Sequence, residues 1–188
     1  MIHKLALIGE PPQDRDWHEG DPIFEPEIDE SARVEAFATI DAGKVRPTRI
    51  GARTWVMRSA HVGHDVWVGD DCEITPFTSL GGHSTIGHGV RFGQAVIVKP
   101  GVTIGDGARL GMGAVVLRDV PAGEVWAGNP ARMIESSSGE LRRLATGLCN
   151  AKSETEQNAY RQAIGHMLCG WPAPSETRYA DIYARYLR

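Results

Sequence analysis

The chain has 188 residues, of which 41% are apolar and 23% are charged, and these values suit one compact domain with a small appendage. A net charge of −4 argues against a general nucleic-acid binder, and no apolar run approaches the length of a membrane span. The three cysteines lack metal-type spacing, and the N-terminus lacks a secretory apolar core. We therefore expect a cytoplasmic protein with reduced thiols that binds neither nucleic acid nor membranes.

Residues 1–27 predict one strand followed by a capping loop. A short apolar stretch, Leu5–Ile8, precedes a glycine and two prolines, and several acidic residues come after it. We expect this segment to cover the beginning of the repeat region that follows.

A six-residue repeat dominates residues 28–134. From Ile50 onward, twelve successive sixth residues are large and apolar: Ile50, Val56, Val62, Val68, Ile74, Leu80, Ile86, Phe92, Val98, Ile104, Leu110 and Val116. At 41% apolar content, this has a chance probability on the order of 10⁻⁵ in a chosen frame. The residue four positions after each of these is always small or β-branched. The residue directly after each large apolar residue is glycine in eight of twelve cases. A period of six excludes both an amphipathic helix and an alternating strand.

Such a repeat predicts a parallel β-helix. Short strands turn a corner every six residues, three hexads complete a coil of eighteen, and successive coils pair about 4.8 Å apart. Residues 50–121 then form four coils, and an irregular coil begins near Ile28. The phase slips by four residues near 45–49, which predicts an insertion at a corner. The repeat glycines are expected where φ is positive or where another backbone comes close.

Residues 135–188 have a helical pattern. Ser153 followed by Glu156 fits a capping box, and apolar residues recur at helical spacing on either side of it. We expect an α-helical tail that packs on the β-helix or on a neighbouring subunit.

A cluster of histidines marks the candidate site. His61, His64, His83 and His88 lie within 28 residues of the repeat. Because one coil has eighteen residues, Gly82 stacks directly on His64, and His83 follows it. A base and a backbone amide without a side chain in front of it then lie about one strand spacing apart. This arrangement suits acyl transfer, with His88 in a structural role.

The repeat, of the form [LIV]-G-x-x-[STAV]-x, resembles that of the hexapeptide-repeat acyltransferases. Residues 125–134, Val-Trp-Ala-Gly-Asn-Pro-Ala-Arg-Met-Ile, resemble the exit from the helix in the same family. The resemblance implies an all-β core in the form of a left-handed parallel β-helix, here with a C-terminal α-helical segment. It also implies a homotrimer with active sites between adjacent helices.

Residues 61–83 resemble more closely the UDP-N-acetylglucosamine O-acyltransferases, through His61-x-x-His64-Asp65 and the pair Gly82-His83. The resemblance implies that His64 is the general base, that Asp65 orients it and that Gly82 donates to the oxyanion. It places His61 and His83 at the acceptor or the acyl donor.

Basic residues supply further candidates. Five of them and no acidic residue lie between Lys44 and Arg58, and they predict contacts to the diphosphate of a nucleotide-linked acceptor, Arg58 among them. A solvated basic face, or pairing with the acidic N-terminal segment, is the alternative. The family resemblance assigns Lys99 and Arg132 to the phosphates of CoA.

The predicted activity is acyl transfer to an amine or hydroxyl of a sugar or nucleotide-sugar acceptor. Acetyl-CoA or another acyl thioester is the expected co-substrate, an acyl-carrier protein is the alternative donor, and no tightly bound cofactor is expected.

Two other functions remain open at this point. The separation of His83 and His88 is that of two ligands in the γ-class carbonic anhydrases, which use zinc on this fold. The position expected for the third ligand, two coils earlier, is Pro47, so we predict no metal site. The second alternative is a non-catalytic trimeric β-helix module.

Overall fold

The structure, a computed structural model, describes residues 1–135 together with Ser153 and Gln157. Residues Met1–Ile134 form a compact unit. The predicted tail helices fall outside the described residues, apart from one backbone hydrogen bond of 3.0 Å from the amide of Gln157 to the carbonyl of Ser153. No helix in the described part of the chain is long and apolar enough to cross a bilayer.

Short strands recur every six residues in most of the described chain and form three sheets. The first sheet contains, in order, β1 (Leu7–Glu10), β4 (Thr39–Asp41), β7 (His61–Val62), β10 (Ser79–Leu80), β13 (Ile97–Val98) and β16 (Val115–Val116). The second contains β2 (Glu27–Ile28), β5 (Arg49–Ile50), β8 (Trp67–Val68), β11 (Thr85–Ile86) and β14 (Thr103–Ile104). The third contains β3 (Arg33–Val34), β6 (Trp55–Val56), β9 (Glu73–Ile74), β12 (Arg91–Phe92), β15 (Arg109–Leu110), β17 (Val125–Ala127) and β18 (Arg132–Glu135).

The register confirms the parallel β-helix and its eighteen-residue coil. Ser79 of β10 pairs in parallel with His61 of β7 on one side and with Ile97 of β13 on the other. Each partner is therefore eighteen residues away in sequence.

In each of the strands β5 to β16, one residue points into the core. Val62, Leu80 and Val98 of the first sheet are at most 2% exposed, and the small corner residues Ala60 and Ala114 are equally buried. Small and β-branched side chains stack closely on their equivalents one coil away. Each repeating coil therefore derives most of its stability from the coils on either side of it.

The predicted corner insertion is also confirmed. Before Ile50 the register distance is 22 residues, since Thr39 pairs with His61 and Arg49 is the partner of Glu27. Residues 43–48 therefore take the place that residues 65–66 have in the next coil. We call residues 43–48 the insertion loop.

The eight repeat glycines that directly follow a large apolar residue are required by close approach of the next coil and not by a positive φ, which other glycines of the repeat, such as Gly101, do have. A Cβ atom on Gly69 would lie 2.8 Å from the carbonyl carbon of Gly87, so close approach of the next coil is the constraint there. Positive φ angles occur two residues further along the repeat, as at Asp65, Asp71 and His83. Asp and His adopt this conformation more readily than most residues.

Candidate active site

His64 and Asp65 form a buried hydrogen-bonded pair at the corner after β7. Nδ1 of His64 lies 2.8 Å from Oδ2 of Asp65. His64 is 8% exposed and Asp65 is fully buried. When Nδ1 carries the proton donated to this carboxylate, Nε2 keeps its lone pair and can accept a proton from a substrate.

The insertion loop holds the carboxylate of Asp65 in place. The backbone amides of Val45 and Arg46 each donate to Oδ1 at 2.7 Å, and the amide of Lys44 donates to Oδ2 at 3.2 Å. The backbone amide of Asp65 donates a hydrogen bond of 3.0 Å to the hydroxyl oxygen of Thr48. The residues that break the repeat thus form an anion-binding turn around one carboxylate.

These contacts set the charge of Asp65. Burial alone would raise its pKa, but hydrogen bonds from His64 and from the three loop amides favour the ionised form. The net result is a pKa below the usual value of 3.8. Asp65 is therefore a carboxylate at neutral pH, and it can orient His64 and stabilise an imidazolium.

Gly82 faces the reactive edge of His64. A Cβ atom on Gly82 would lie only 2.6 Å from Nε2 of His64, so no other residue fits without displacing the ring. Within the described residues, the amide of Gly82 has no hydrogen-bond acceptor. The neighbouring amide of His83 donates to the carbonyl of His64 at 2.9 Å and joins the two corners.

His83 and His61 lie at the rim of this arrangement. The ring of His83 packs edge-on against that of His64, with centroids 4.9 Å apart, and 46% of its side chain is exposed. His61 is 32% exposed and its Nδ1 lies 2.8 Å from the hydroxyl of Thr39. Both imidazoles therefore contact solvent beside the buried pair.

A second buried carboxylate, Asp41, lies behind His61. It is 1% exposed, and its Oδ2 lies 3.9 Å from Nε2 of His61 with no hydrogen-bond partner among the described residues. Burial raises the pKa of Asp41, and this outweighs the opposing effect of the nearby histidines. Sequence reasoning missed this residue, although an acid at the register position of Gly63 was an available signal.

Asp14 reaches the site from the N-terminal loop and was also missed. Its Oδ2 accepts a hydrogen bond of 3.0 Å from Nζ of Lys44. One ligand atom from each of Asp14, His64 and His83 lies within 4.8 Å of the others. Because this loop has no repeat, periodicity gave no means of placing it.

The predicted basic patch is divided. Lys44 and Arg46 are at the site, where Nε of Arg46 donates to the carbonyl of Asp65 at 3.0 Å. Arg53 instead pairs with Asp71 through two hydrogen bonds of 2.6 Å at another corner. Arg58 is exposed between β6 and β7, and its role at the substrate remains a prediction.

The two residues assigned to CoA lie on different faces of the β-helix, Lys99 after a strand of the first sheet and Arg132 in a strand of the third. Lys99 is exposed directly after β13, one coil beyond Gly81. Arg132 begins β18 in the third sheet and donates to the carbonyl of Ala131 at 2.9 Å. Their binding of phosphates also remains a prediction.

His88 does not join the other histidines. Its Nδ1 accepts a hydrogen bond of 3.0 Å from the backbone amide of Asp70. Its ring lies edge-on to that of Trp67, with centroids 6.1 Å apart. These contacts agree with the structural role expected from the sequence.

The repeat has a matching family model. Residues 47–82 and 83–118 match the model described as bacterial transferase hexapeptide (six repeats). This segment is a hexapeptide-repeat β-helix.

Proteins similar to this chain are named as acyltransferases. An acyl-[acyl-carrier-protein]–UDP-N-acetylglucosamine O-acyltransferase of Thiobacillus denitrificans is 32% identical over 133 residues, covering 69% of this chain and 51% of the relative. The crystal structure of UDP-N-acetylglucosamine O-acyltransferase from Moraxella catarrhalis is 27% identical with a TM-score of 0.70, covering 99% of this chain and 70% of that one.

A third similar protein was solved with two ligands bound. Perosamine N-acetyltransferase from Caulobacter crescentus, as a histidine-to-asparagine mutant in complex with CoA and GDP-perosamine, is 28% identical with a TM-score of 0.59. The match covers 70% of this chain and 54% of that one. The chain spans about half or less of the length of the curated relatives it matches.

Proposed function

We propose that this chain is an acyltransferase that moves an acetyl group from acetyl-CoA to an amine or hydroxyl of a nucleotide-sugar acceptor. The observation that carries the proposal is the position of Gly82 against Nε2 of His64, where a Cβ atom would lie 2.6 Å from the ring. Nε2 of His64 and the backbone of Gly82 therefore adjoin the same small volume, and the amide of Gly82 has no acceptor among the described residues.

The reaction follows from these groups. Nε2 of His64 takes the proton of the acceptor as its oxygen or nitrogen attacks the thioester carbonyl carbon. The amide of Gly82 donates to the oxyanion of the tetrahedral intermediate, and Asp65 stabilises the imidazolium of His64. When the C–S bond breaks, the imidazolium returns the proton to the departing thiolate, which yields free CoA and the acylated acceptor.

The comparisons support the reaction class. By their names, two of these proteins act on UDP-N-acetylglucosamine. The perosamine N-acetyltransferase was solved in complex with CoA and GDP-perosamine. The Thiobacillus denitrificans relative names an acyl-carrier protein as the carrier of its acyl group. Acyl-carrier protein is therefore the alternative donor for this chain.

The proposal is tested by steady-state release of CoA with a panel of UDP- and GDP-linked amino sugars. Acetyl-CoA, longer acyl-CoAs and acyl-carrier-protein thioesters are compared as donors. His64→Ala should lower kcat by roughly 10²–10⁴, whereas His88→Ala, at another corner, should leave it unchanged. A folded His64→Ala protein with unchanged turnover would reject the assignment of the base.

We also propose that the protein assembles as a homotrimer and uses Lys99 and Arg132 for CoA phosphates. The half-exposed apolar residues Leu7 and Ile97 on the outer face of the first sheet support contact between subunits. Light scattering measures the mass of the particle. Lys99→Ala and Arg132→Ala should each raise KM for acetyl-CoA more than they change kcat.

A further inference from the structure

Three potential metal ligands from separate parts of the chain meet above the buried pair. Asp14 comes from the N-terminal loop, His64 from the corner after β7 and His83 from the corner after β10. One ligand atom of each lies within 4.8 Å of the others. This group is distinct from the sequence-based candidate, because it includes His83 but not His88.

The geometry points to a binding site for a first-row divalent transition-metal ion, of which Zn²⁺ is the representative, on Asp14, His64 and His83. The ion would take the lone pair of His64 and thereby block the base. Binding of the ion is independent of the proposed function, and only the inhibition rests on it.

The spacing is close to what zinc requires. Three atoms no more than 4.8 Å apart share a point at most about 2.8 Å from each of them, whereas zinc–nitrogen and zinc–oxygen distances are about 2.0–2.2 Å. Side-chain shifts of less than about 1 Å therefore bring all three atoms to the distance of a zinc ligand. Two imidazoles and a carboxylate leave a fourth position open, as in catalytic zinc sites.

The surroundings orient the central ligand. The carboxylate of Asp65 accepts a hydrogen bond of 2.8 Å from Nδ1 of His64, and this directs Nε2 of His64 away from that carboxylate. A carboxylate behind a histidine is the usual support of a metal-ligating imidazole. His83 lies in the same environment, with its Nδ1 3.7 Å from Oδ2 of Asp65.

The ammonium group of Lys44 already lies beside one of the three proposed ligands. Nζ of Lys44 lies 3.0 Å from Oδ2 of Asp14 and neutralises the carboxylate that the ion would use. Lys44 therefore acts as an internal competitor for the ion. Removing its charge should strengthen binding, and this effect separates a metal site from a hydrogen-bond network.

The test is calorimetric titration of the full chain, freed of metal by dialysis against a chelator, with Zn²⁺, and in parallel with Co²⁺ followed by its visible absorption. We expect one ion per chain. Asp14→Asn and His83→Gln should each weaken Zn²⁺ binding by about 100-fold or more, since loss of a residue that only supports a metal ligand already costs 10–100-fold. Lys44→Met should tighten it, and His88→Gln should leave it unchanged. Mg²⁺, which prefers oxygen ligands, should not compete.

Absence of a stoichiometric Zn²⁺ site in the folded protein, or a site that both Asp14→Asn and His83→Gln leave intact, would overturn the inference. Asp14→Asn lies in a partly exposed loop, so its result remains interpretable if His83→Gln fails to fold. An inactive chain that binds Zn²⁺ as expected would remove the acyltransferase proposal and keep the site. An active chain that binds no ion would do the reverse.

Discussion

The carboxylate of Asp65 lies 2.8 Å from the imidazole of His64 although the two residues are neighbours in the chain. Adjacent residues in an extended strand point to opposite faces. Here the chain turns a corner, and Asp65 has a φ of 60°, so the two side chains come together on one side. A sequential pair can therefore do what catalytic pairs in other folds achieve with distant residues.

Replacing Asp65 by Asn should destabilise the fold and lower activity. The three loop amides and His64 all donate to this carboxylate, and an amide group offers only one acceptor oxygen in their place. Hydrogen bonds to a charged group contribute about 1.5–3 kcal/mol, so we expect a loss of about 2 kcal/mol or more in urea unfolding at pH 7. Asp71→Asn is the matched control, because Asp71 has the same repeat position and positive φ but is exposed.

The same substitution has a pH signature. The pKa of Asp65 is lowered in the folded state, so its contribution is complete above the unfolded value of about 3.8 and is lost as the pH falls below it. The stability difference between the wild type and Asp65→Asn should be constant near neutrality and shrink below about pH 4. A difference that grows on acidification would contradict this assignment.

Gly82→Ala should impair catalysis with little effect on the backbone. Ala52 occupies the equivalent position of the repeat, so the conformation accepts a side chain. At Gly82, however, the new Cβ would lie 2.6 Å from Nε2 of His64 and force the ring aside. We expect kcat to fall by about 10²-fold, comparable with loss of an oxyanion donor. Met112→Ala, at the same repeat position on the exposed surface, should keep full activity.

Asp41→Asn should stabilise the protein at neutral pH. Burial raises the pKa of Asp41, so ionising it in the folded state costs free energy that an amide does not incur. The raised pKa means that this cost is absent well below pH 3.8 and grows as the pH rises above it. The gain in melting temperature over the wild type should therefore increase from pH 4 to pH 7. Asp16→Asn, in an exposed loop, should show no such trend, and an equal gain at both pH values would argue against a buried acid.

Inward-facing and outward-facing strand residues should respond differently to truncation. Ile86 is fully buried in the second sheet, and Ile86→Ala should cost about 2–5 kcal/mol in unfolding free energy. Ile97 points outward and is 50% exposed, and Ile97→Ala should cost less than about 1 kcal/mol in the isolated chain. A comparable loss at Ile97 that depends on protein concentration would mean that another subunit covers this residue.

Periodicity was sufficient for the regular part of the molecule. A spacing of eighteen residues placed Gly82 on His64, and Gly82 does lie against His64 because every intervening residue follows the hexad. The family resemblance implied that Asp65 orients His64, and the corner geometry places the two side chains at hydrogen-bond distance.

Periodicity failed where the chain leaves the hexad. The phase slip near residues 45–49 was visible in the sequence. Nothing in the sequence indicated that the backbone amides of this segment would surround the carboxylate of Asp65. Asp14 lies in a segment without any repeat, and its position depends on how β1 joins β4. The sequence shows Asp41 as an acid at a position where the repeat has glycine, but its burial depends on how the neighbouring coils pack around it.

The candidate site takes its parts from three successive coils: the insertion loop, His64 with Asp65, and Gly82 with His83. Stacked coils can open from an end while the remainder stays folded. Fraying at the N-terminal end would release the insertion loop and disrupt the candidate site while most of the β signal in circular dichroism persisted. Inactivation on heating should therefore occur at a lower temperature than the loss of secondary structure. Activity would then report the opening of the N-terminal coils before circular dichroism does.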